Sequence, residues 1–302
     1  MATTLLPQAP VLSLARLDDY LQLVRPRIAL LVLFTVGAGG LLASRAATDS
    51  AVIIHAVIGT ALVASGASCL NQWVERHGDA RMRRTEDRPL PAGRLAPAEA
   101  LALGSALAAG GLAYLLATVR HPLTGGLAAL ALIGYVGVYT PLKRITTLNT
   151  LIGAVPGALP PVIGWTAVTG RFDAGALSLF LIVFVWQVPH FLAIAWMYRG
   201  DYTRAGFRIL TVHDVRGELT GREMVRYCLV LIPVSLLPAA LGLTGPLYAV
   251  AALVLGGLFL RSCVSFVRYP ALPQARRVLR ASLIYLPCLF MVLVAFHPRN
   301  SP

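Results

Sequence analysis

Residues 51–94 read AVIIHAVIGTALVASGASCLNQWVERHGDARMRRTEDRPLPAGR. The stretch opens as an apolar block long enough to cross a bilayer, since a spanning helix needs about 20 mostly apolar residues. It then turns charged, starting at Asn71. Asn71, Glu75 and Asp79 are four residues apart. At about 100° per residue they fall within an arc of roughly 80° on one helix face. Five arginines follow closely: Arg81, Arg83, Arg84, Arg88 and Arg94. A stripe of oxygen-bearing side chains suits a hard divalent cation such as Mg²⁺, which takes one or two carboxylates plus substrate phosphates. Arginines beside it suit the remaining phosphate oxygens. Carboxylate, metal and arginine together fit a diphosphate. The plainer alternative is a solvated connector rich in i,i+4 ion pairs, but that leaves Asn71, still at membrane depth, without a role. Gly78 is a point where the helix, and with it the stripe, could bend.

The rest of the chain repeats the apolar theme. Mean hydropathy is +0.72 and 13% of residues are charged, against about 25% in soluble domains. Apolar blocks occupy 27–44, 51–73, 97–118, 123–140, 147–167, 174–198, 224–242, 245–265 and 278–297. The expected fold is an all-α membrane protein with nine transmembrane helices. A β-barrel is not expected, because its strands alternate polar and apolar, whereas these blocks are apolar all round. The expected organisation is a segment 1–26, one membrane domain 27–297 and a tail 298–302. Residues 1–26 lack the small-residue cleavage pattern of a signal peptide, so the first block reads as a retained span.

Numbering the connections alternately puts 22 of the 26 Lys and Arg on the side of the N-terminus, and only Arg45, Arg120, Arg171 and Arg299 opposite. Basic residues in short loops stay in the cytoplasm, which predicts a cytoplasmic N-terminus and an external C-terminus in a cell (inner) membrane. Topology and anionic membrane lipid account for the net charge of +13 better than nucleic acid does. Eleven of the 13 acids fall on the same side, although carboxylates do not follow that rule. Their gathering there points to a site. Cys69, Cys228, Cys263 and Cys288 form no CxxC pair and read as buried small side chains.

A second polar cluster is Trp186-Gln187-Val188-Pro189-His190-Phe191, followed by Tyr198, Asp201 and Tyr202. Gln187 and His190 lie inside the sixth span, where polar groups are costly and usually face a cavity. Gln187, His190, Tyr198 and Asp201 share one face within roughly 80°, and Pro189 is expected to kink the helix. Interhelical hydrogen bonding is the competing explanation. A third cluster, Tyr139-Thr140-Pro141-Leu142-Lys143-Arg144, ends the fourth span on the same side, where Arg25-Pro26-Arg27 also begins the first. The fifth span, with Gly153, Pro156, Gly157, Pro160, Pro161 and Gly164, is expected to be distorted and closely packed.

These motifs resemble the UbiA superfamily of membrane prenyltransferases. The family pattern Asn-x3-Asp/Glu-x3-Asp-x2-Met-x-Arg-Thr-x3-Arg-Pro is met at Asn71, Glu75, Asp79, Met82, Arg84, Thr85, Arg88 and Pro89. A Pro-x-Gly-Arg extension is met at Pro91, Gly93 and Arg94, and Tyr-Thr-Pro-x-Lys-Arg at Tyr139–Arg144. The Trp186–Phe191 run is similar to the branch that farnesylates heme B rather than a quinone precursor. The chain departs from the family in having Glu75 for the usual Asp, Gly200 for a frequent acid, and Phe207–Leu210 for a proline-rich stretch.

The resemblance implies a UbiA-type bundle, with farnesyl diphosphate and heme B as substrates, Mg²⁺ as cofactor and heme A synthase as a candidate partner. It assigns Asn71, Glu75, Asp79 and Asp201 to the metal and catalysis, and Arg84, Arg88, Lys143 and Arg144 to the diphosphate. It assigns His190, Gln187 and Tyr198 to heme, with His213 in reserve. A prenyltransferase for another aromatic acceptor and a membrane transporter are the alternatives. A CDP-alcohol phosphotransferase is not supported, because its Asp-Gly-x2-Ala-Arg signature is absent.

Overall fold

The computed structural model describes residues 14–44 and 49–298. Residues 1–13 of the expected N-terminal segment, Arg45, and all of the tail beyond residue 298 lie outside the described residues. Those described form helices and connections, with no strand among them. In chain order the helices are α1 (Leu14–Val24), α2 (Pro26–Ala43), α3 (Asp49–Asp79), α4 (Pro97–Thr118), α5 (Pro122–Ile133), α6 (Asn149–Gly157), α7 (Pro160–Thr169), α8 (Ala174–Met197), α9 (Arg199–Ala205), α10 (Leu210–His213), α11 (Glu218–Ala240), α12 (Pro246–Arg268) and α13 (Leu272–Ala295). Among the described residues eight spans are long and apolar enough to cross a membrane, and α1 with α2, bent by 47°, makes nine when the pair is counted as one span.

Local sequence sets the ends of these helices. Pro97, Pro122, Pro160 and Pro246 each stand in a first turn, where a missing N–H costs nothing. Asp173 accepts a hydrogen bond from the Ala176 amide at 3.2 Å and caps α8. Gly170 closes α7 with a φ of 68°, which an L side chain adopts only under strain.

Three elements differ from the sequence reading. The second span does not stop at residue 73. It continues as helix through Gly78 to Asp79, so Gly78 does not bend the stripe. The fifth span is two helices, because Pro160 and Pro161 offer no N–H to continue the ladder from α6. The fourth span leaves the α-helical register: after α5 the chain makes a π-helical segment, Gly134–Tyr139, and a short helical turn, Thr140–Leu142. Pro189 sits inside α8, which runs unbroken from Ala174 to Met197.

The bundle centres on α7 and α8, while Leu253, Val254 and Leu258 on α12 and Ile284 on α13 are exposed. Exposed apolar side chains are what lipid tails contact. With no hydrophobic drive between helices in lipid, close contact needs small residues. It is tightest between α2 and α7, where a Cβ on Gly39 would stand 2.0 Å from the Pro161 carbonyl oxygen and one on Gly164 would stand 1.8 Å from that of Val36.

Gly164→Ala is therefore expected to force α2 from α7 and lower the stability of the detergent-solubilised protein by about 1–3 kcal/mol or more. Gly257→Ala, which would meet nothing within 4 Å, is expected to leave it unchanged. Equal melting temperatures for the two variants would show that the crossing tolerates a methyl group.

Candidate active site

The last two turns of α3 carry the acidic stripe. Asn71, Glu75 and Asp79 are all buried. A buried carboxylate needs a partner, and each has one. Lys143 donates to Glu75 at 2.9 Å and Arg88 to Asp79 at 2.6 Å. Asn71 donates to Glu75 at 3.2 Å and to the Thr140 hydroxyl at 3.0 Å.

The partners are delivered by backbone. The π segment before Thr140 sets the rotation of the chain as it leaves the fourth span. Thr140 donates to the Tyr135 carbonyl at 2.8 Å, and Lys143 lies 4.5 Å from the centre of the Tyr139 ring. Segments of this kind recur at functional sites. On the other side, fully buried Thr85 donates to the Asp79 carbonyl at 2.9 Å, which caps α3 and turns the loop so that Arg88 comes back to Asp79. Burial lowers the pKa of Arg88 from its usual value, as does the nearby positive charge of Arg25, while Asp79 opposes them. The group stays charged, because arginine keeps its proton in proteins.

Arg84 belongs to the same end of the bundle. Its guanidinium lies 4.4 Å from the centre of the Tyr198 ring and 5.8 Å from that of Tyr202. Met82 from this loop packs in one apolar cluster with Ala195, Ala205, Phe207 and Ile209, which joins the first acidic loop to the second. Arg144 reaches that cluster, 5.8 Å from the centre of the Phe207 ring. Asp201 is buried on α9 and pairs with Arg204. Arg94 pairs with Asp19 at 2.7 Å and ties the loop to α1.

Arg25 is a residue that sequence reasoning placed on the right side but did not assign. It is the non-glycine residue with positive φ, 52°, among those described, and a non-glycine residue there signals strain or function. One terminal nitrogen is buried without a hydrogen-bond partner, and its charge acts on Arg88. Its charge also acts on the Asp79 carboxylate, so its open donor stands beside the paired charges. The unusual backbone just before Pro26 leaves no mark in the sequence.

The three residues read as heme contacts do not converge. Gln187 turns to α6, donating to the Ala154 carbonyl at 3.2 Å and, within its own helix, to Val183 at 3.0 Å. His190 turns to α13, with Nδ1 2.8 Å from the Ser282 hydroxyl and its ring stacked on Trp186 at 4.8 Å. Trp186 donates to the Ser282 carbonyl at 2.9 Å. Tyr198 stands under Arg84, at the basic end. The reserve histidine, His213, ends α10.

Among the described residues no three His, Cys, Asp or Glu side chains gather as a ready cage. The donors present still suit Mg²⁺, which needs only one or two carboxylates when phosphate oxygens complete its shell. The resting carboxylates are neutralised by cations that a diphosphate could draw off. What the end of the bundle gathers is three buried carboxylates, each paired with a basic side chain.

Residues 32–294 match the UbiA prenyltransferase family, and the chain belongs to it. It is 45% identical to the protoheme IX farnesyltransferase of Solibacter usitatus over 93% of this chain and 99% of that protein. It is 46% identical to the protein of that name from Anaeromyxobacter sp., over 93% and 94% of the two chains. A digeranylgeranylglyceryl phosphate synthase shares the fold at a TM-score of 0.75 and 16% identity, over 94% of this chain and 99% of that one. A UbiA homolog from Archaeoglobus fulgidus, bound to GPP and Mg²⁺, shares it at 0.58 and 14%, over 92% and 99%.

Breaking the Asp79–Arg88 pair from one side should be costly, since Asp79 would stay buried without a partner. Arg88→Met is expected to destabilise the protein by about 3 kcal/mol, and Asp79→Asn with Arg88→Met by less. Denaturant unfolding in detergent measures both. A double variant no more stable than the single one would mean that the pair does not hold the loop.

Proposed function

We propose that this protein transfers a farnesyl group from farnesyl diphosphate to a vinyl group of heme B, with addition of water, to give heme O and diphosphate. The observation that carries the reading is the buried Asn71–Glu75–Asp79 stripe meeting Lys143 and Arg88. The relatives named protoheme IX farnesyltransferase support the choice of acceptor, as does the Trp186–Phe191 run.

In this reading Asn71, Glu75 and Asp79 would hold Mg²⁺ with the diphosphate, and Asp201, buried on α9, would complete the set. The ion neutralises charge on the leaving diphosphate when bound. Lys143, Arg88, Arg84, Arg144 and Arg25, with its unpartnered nitrogen, take the remaining phosphate oxygens. As the carbon–oxygen bond breaks, its electrons go to the diphosphate, which these preorganised cations stabilise. The vinyl carbon bonds to the allylic carbon, water adds to the cation left beside the ring, and one proton leaves. The surrounding apolar spans must keep water from the allylic cation until then. Ser282 engages His190 Nδ1, so Nε2 is the atom that meets the heme, as iron ligand or positioning contact. The basic end, by the charge distribution, faces the cytoplasm of a cell whose inner membrane holds the bundle. One membrane domain over 27–297 carries the whole reaction, and heme A synthase is the candidate recipient of its product.

Expression in a host without heme O, followed by mass spectrometry of extracted hemes, tests the reaction. The expected product is heme B with one vinyl converted to a hydroxyethylfarnesyl group, a mass gain of one farnesyl and one hydroxyl, and prenylation of a quinone precursor instead would overturn the acceptor. Asp79→Ala should abolish turnover while the protein still inserts, as read by the same assay and by membrane content. His190→Ala should weaken heme binding, followed spectroscopically, more than farnesyl diphosphate binding, and equal losses would remove His190 from the heme site.

A further inference from the structure

The last 79 residues, 224–302, contain seven arginines and no Asp or Glu. Arg268 and Arg276 sit near the basic end of the α12–α13 hairpin, while Arg277 and Arg280 lie five and eight residues inside α13. Arg261 is also inside its span. It lies seven residues before the end of α12, about 10 Å inside the span. Among the described residues no ion pair or hydrogen bond satisfies Arg261 or Arg277. Loop arginines are explained by topology. An arginine two turns inside an apolar helix is costly and calls for a counter-charge, which no acidic residue of this hairpin can supply.

Both arginines line one groove between α12 and α13, about 440 Å³ in volume. Ser262 and Ser265 lie beside them, and Leu255 and Ile284 continue the lining deeper. Leu255 is 13 residues from the end of α12, so the groove runs about 10 Å further into the hydrocarbon than Arg261. From the basic end the α12 lining runs Ser265, Ser262, Arg261 and then Leu258 and Leu255, polar and cationic at the mouth and apolar deeper, as a phospholipid is polar at its head group and apolar along its acyl chains. Basic pockets between spans are where anionic lipid head groups bind.

We infer that the α12–α13 groove is a binding site for one anionic phospholipid, with its phosphate between Arg261 and Arg277 and an acyl chain along Leu255 and Ile284. The site is remote in sequence from the acidic stripe and does not depend on the reaction proposed above.

The test uses the full chain in nanodiscs of phosphatidylcholine containing phosphatidylglycerol, extracted into neutral detergent and read by native mass spectrometry. One retained phosphatidylglycerol per chain is expected. R261Q/R277Q should lower that retention about tenfold or more. R261K/R277K, which keeps the charge, should keep most of it, and R171Q, at the opposite end, should keep all of it. Equal retention in the wild type and R261Q/R277Q would overturn the site, as would equal retention of phosphatidylcholine. Displacement of the lipid by inorganic phosphate alone would also overturn it, because the acyl chain would then contribute nothing. Should R261Q/R277Q fail to fold, the wild-type preference for phosphatidylglycerol over phosphatidylcholine decides alone.

Discussion

Two carboxylates buried at the end of a membrane helix set the terms for the rest of the structure. Glu75 and Asp79 sit where water is scarce, and each is held by one cation at hydrogen-bonding distance. Such pairs add little net stability, because the cost of taking both charges out of water offsets their attraction. In the proposed reading their value is exchange: a metal would take the carboxylates while a diphosphate takes Lys143 and Arg88, so that each charge keeps an opposite charge throughout. Arg25 fits the same logic from the other side, since its buried nitrogen has no partner until an anion arrives.

The surrounding features bring those charges together. Thr85 caps α3 and returns the loop to it. The π segment at Gly134–Tyr139 turns Thr140 to Asn71 and Lys143 to Glu75. Gln72 and Ser68 both donate to the Leu23 carbonyl, at 2.7 and 2.8 Å, and so fix the end of α1 just before Arg25. These are inexpensive local bonds. They act on a frame whose rigidity comes from elsewhere, from the glycine-mediated crossing of α2 on α7 and the apolar packing around α8.

How much of this could be read from sequence depends on the range of the interaction. The spans were legible because lipid demands unbroken apolar length, and residues 97–118 were placed as α4 forms them. The acidic stripe was legible because four-residue spacing is a property of one helix. The extension of α3 to Asp79 was harder, since its last turns are polar and carry no hydropathy signal. The break before Pro160 was written in the sequence as two adjacent prolines, but read as distortion. What could not be read was pairing across the bundle. Nothing local says that Lys143 meets Glu75, 68 residues earlier, or that Tyr198 lies under Arg84. Gln187 and His190 share a helix face within 60°, yet they bond to α6 and α13 respectively. Helical angle states where a side chain starts. Neighbouring helices decide where it ends.

That divergence bears on how two substrates could meet. His190 lies eight residues before Tyr198, so it is about 12 Å deeper along α8 than the ring under Arg84. A heme held at His190 would have its iron well inside the bundle and would need to point a vinyl edge toward the basic end, where the diphosphate leaves. The allylic carbon is bonded to that diphosphate and cannot travel to the heme before the bond breaks. The heme must therefore span the gap, and its orientation matters more than its affinity. The fixed His190 ring, held by Ser282 and stacked on Trp186, supplies such orientation. A histidine that only bound iron tightly would serve poorly here: the product keeps the same iron, would be held just as tightly, and has to leave.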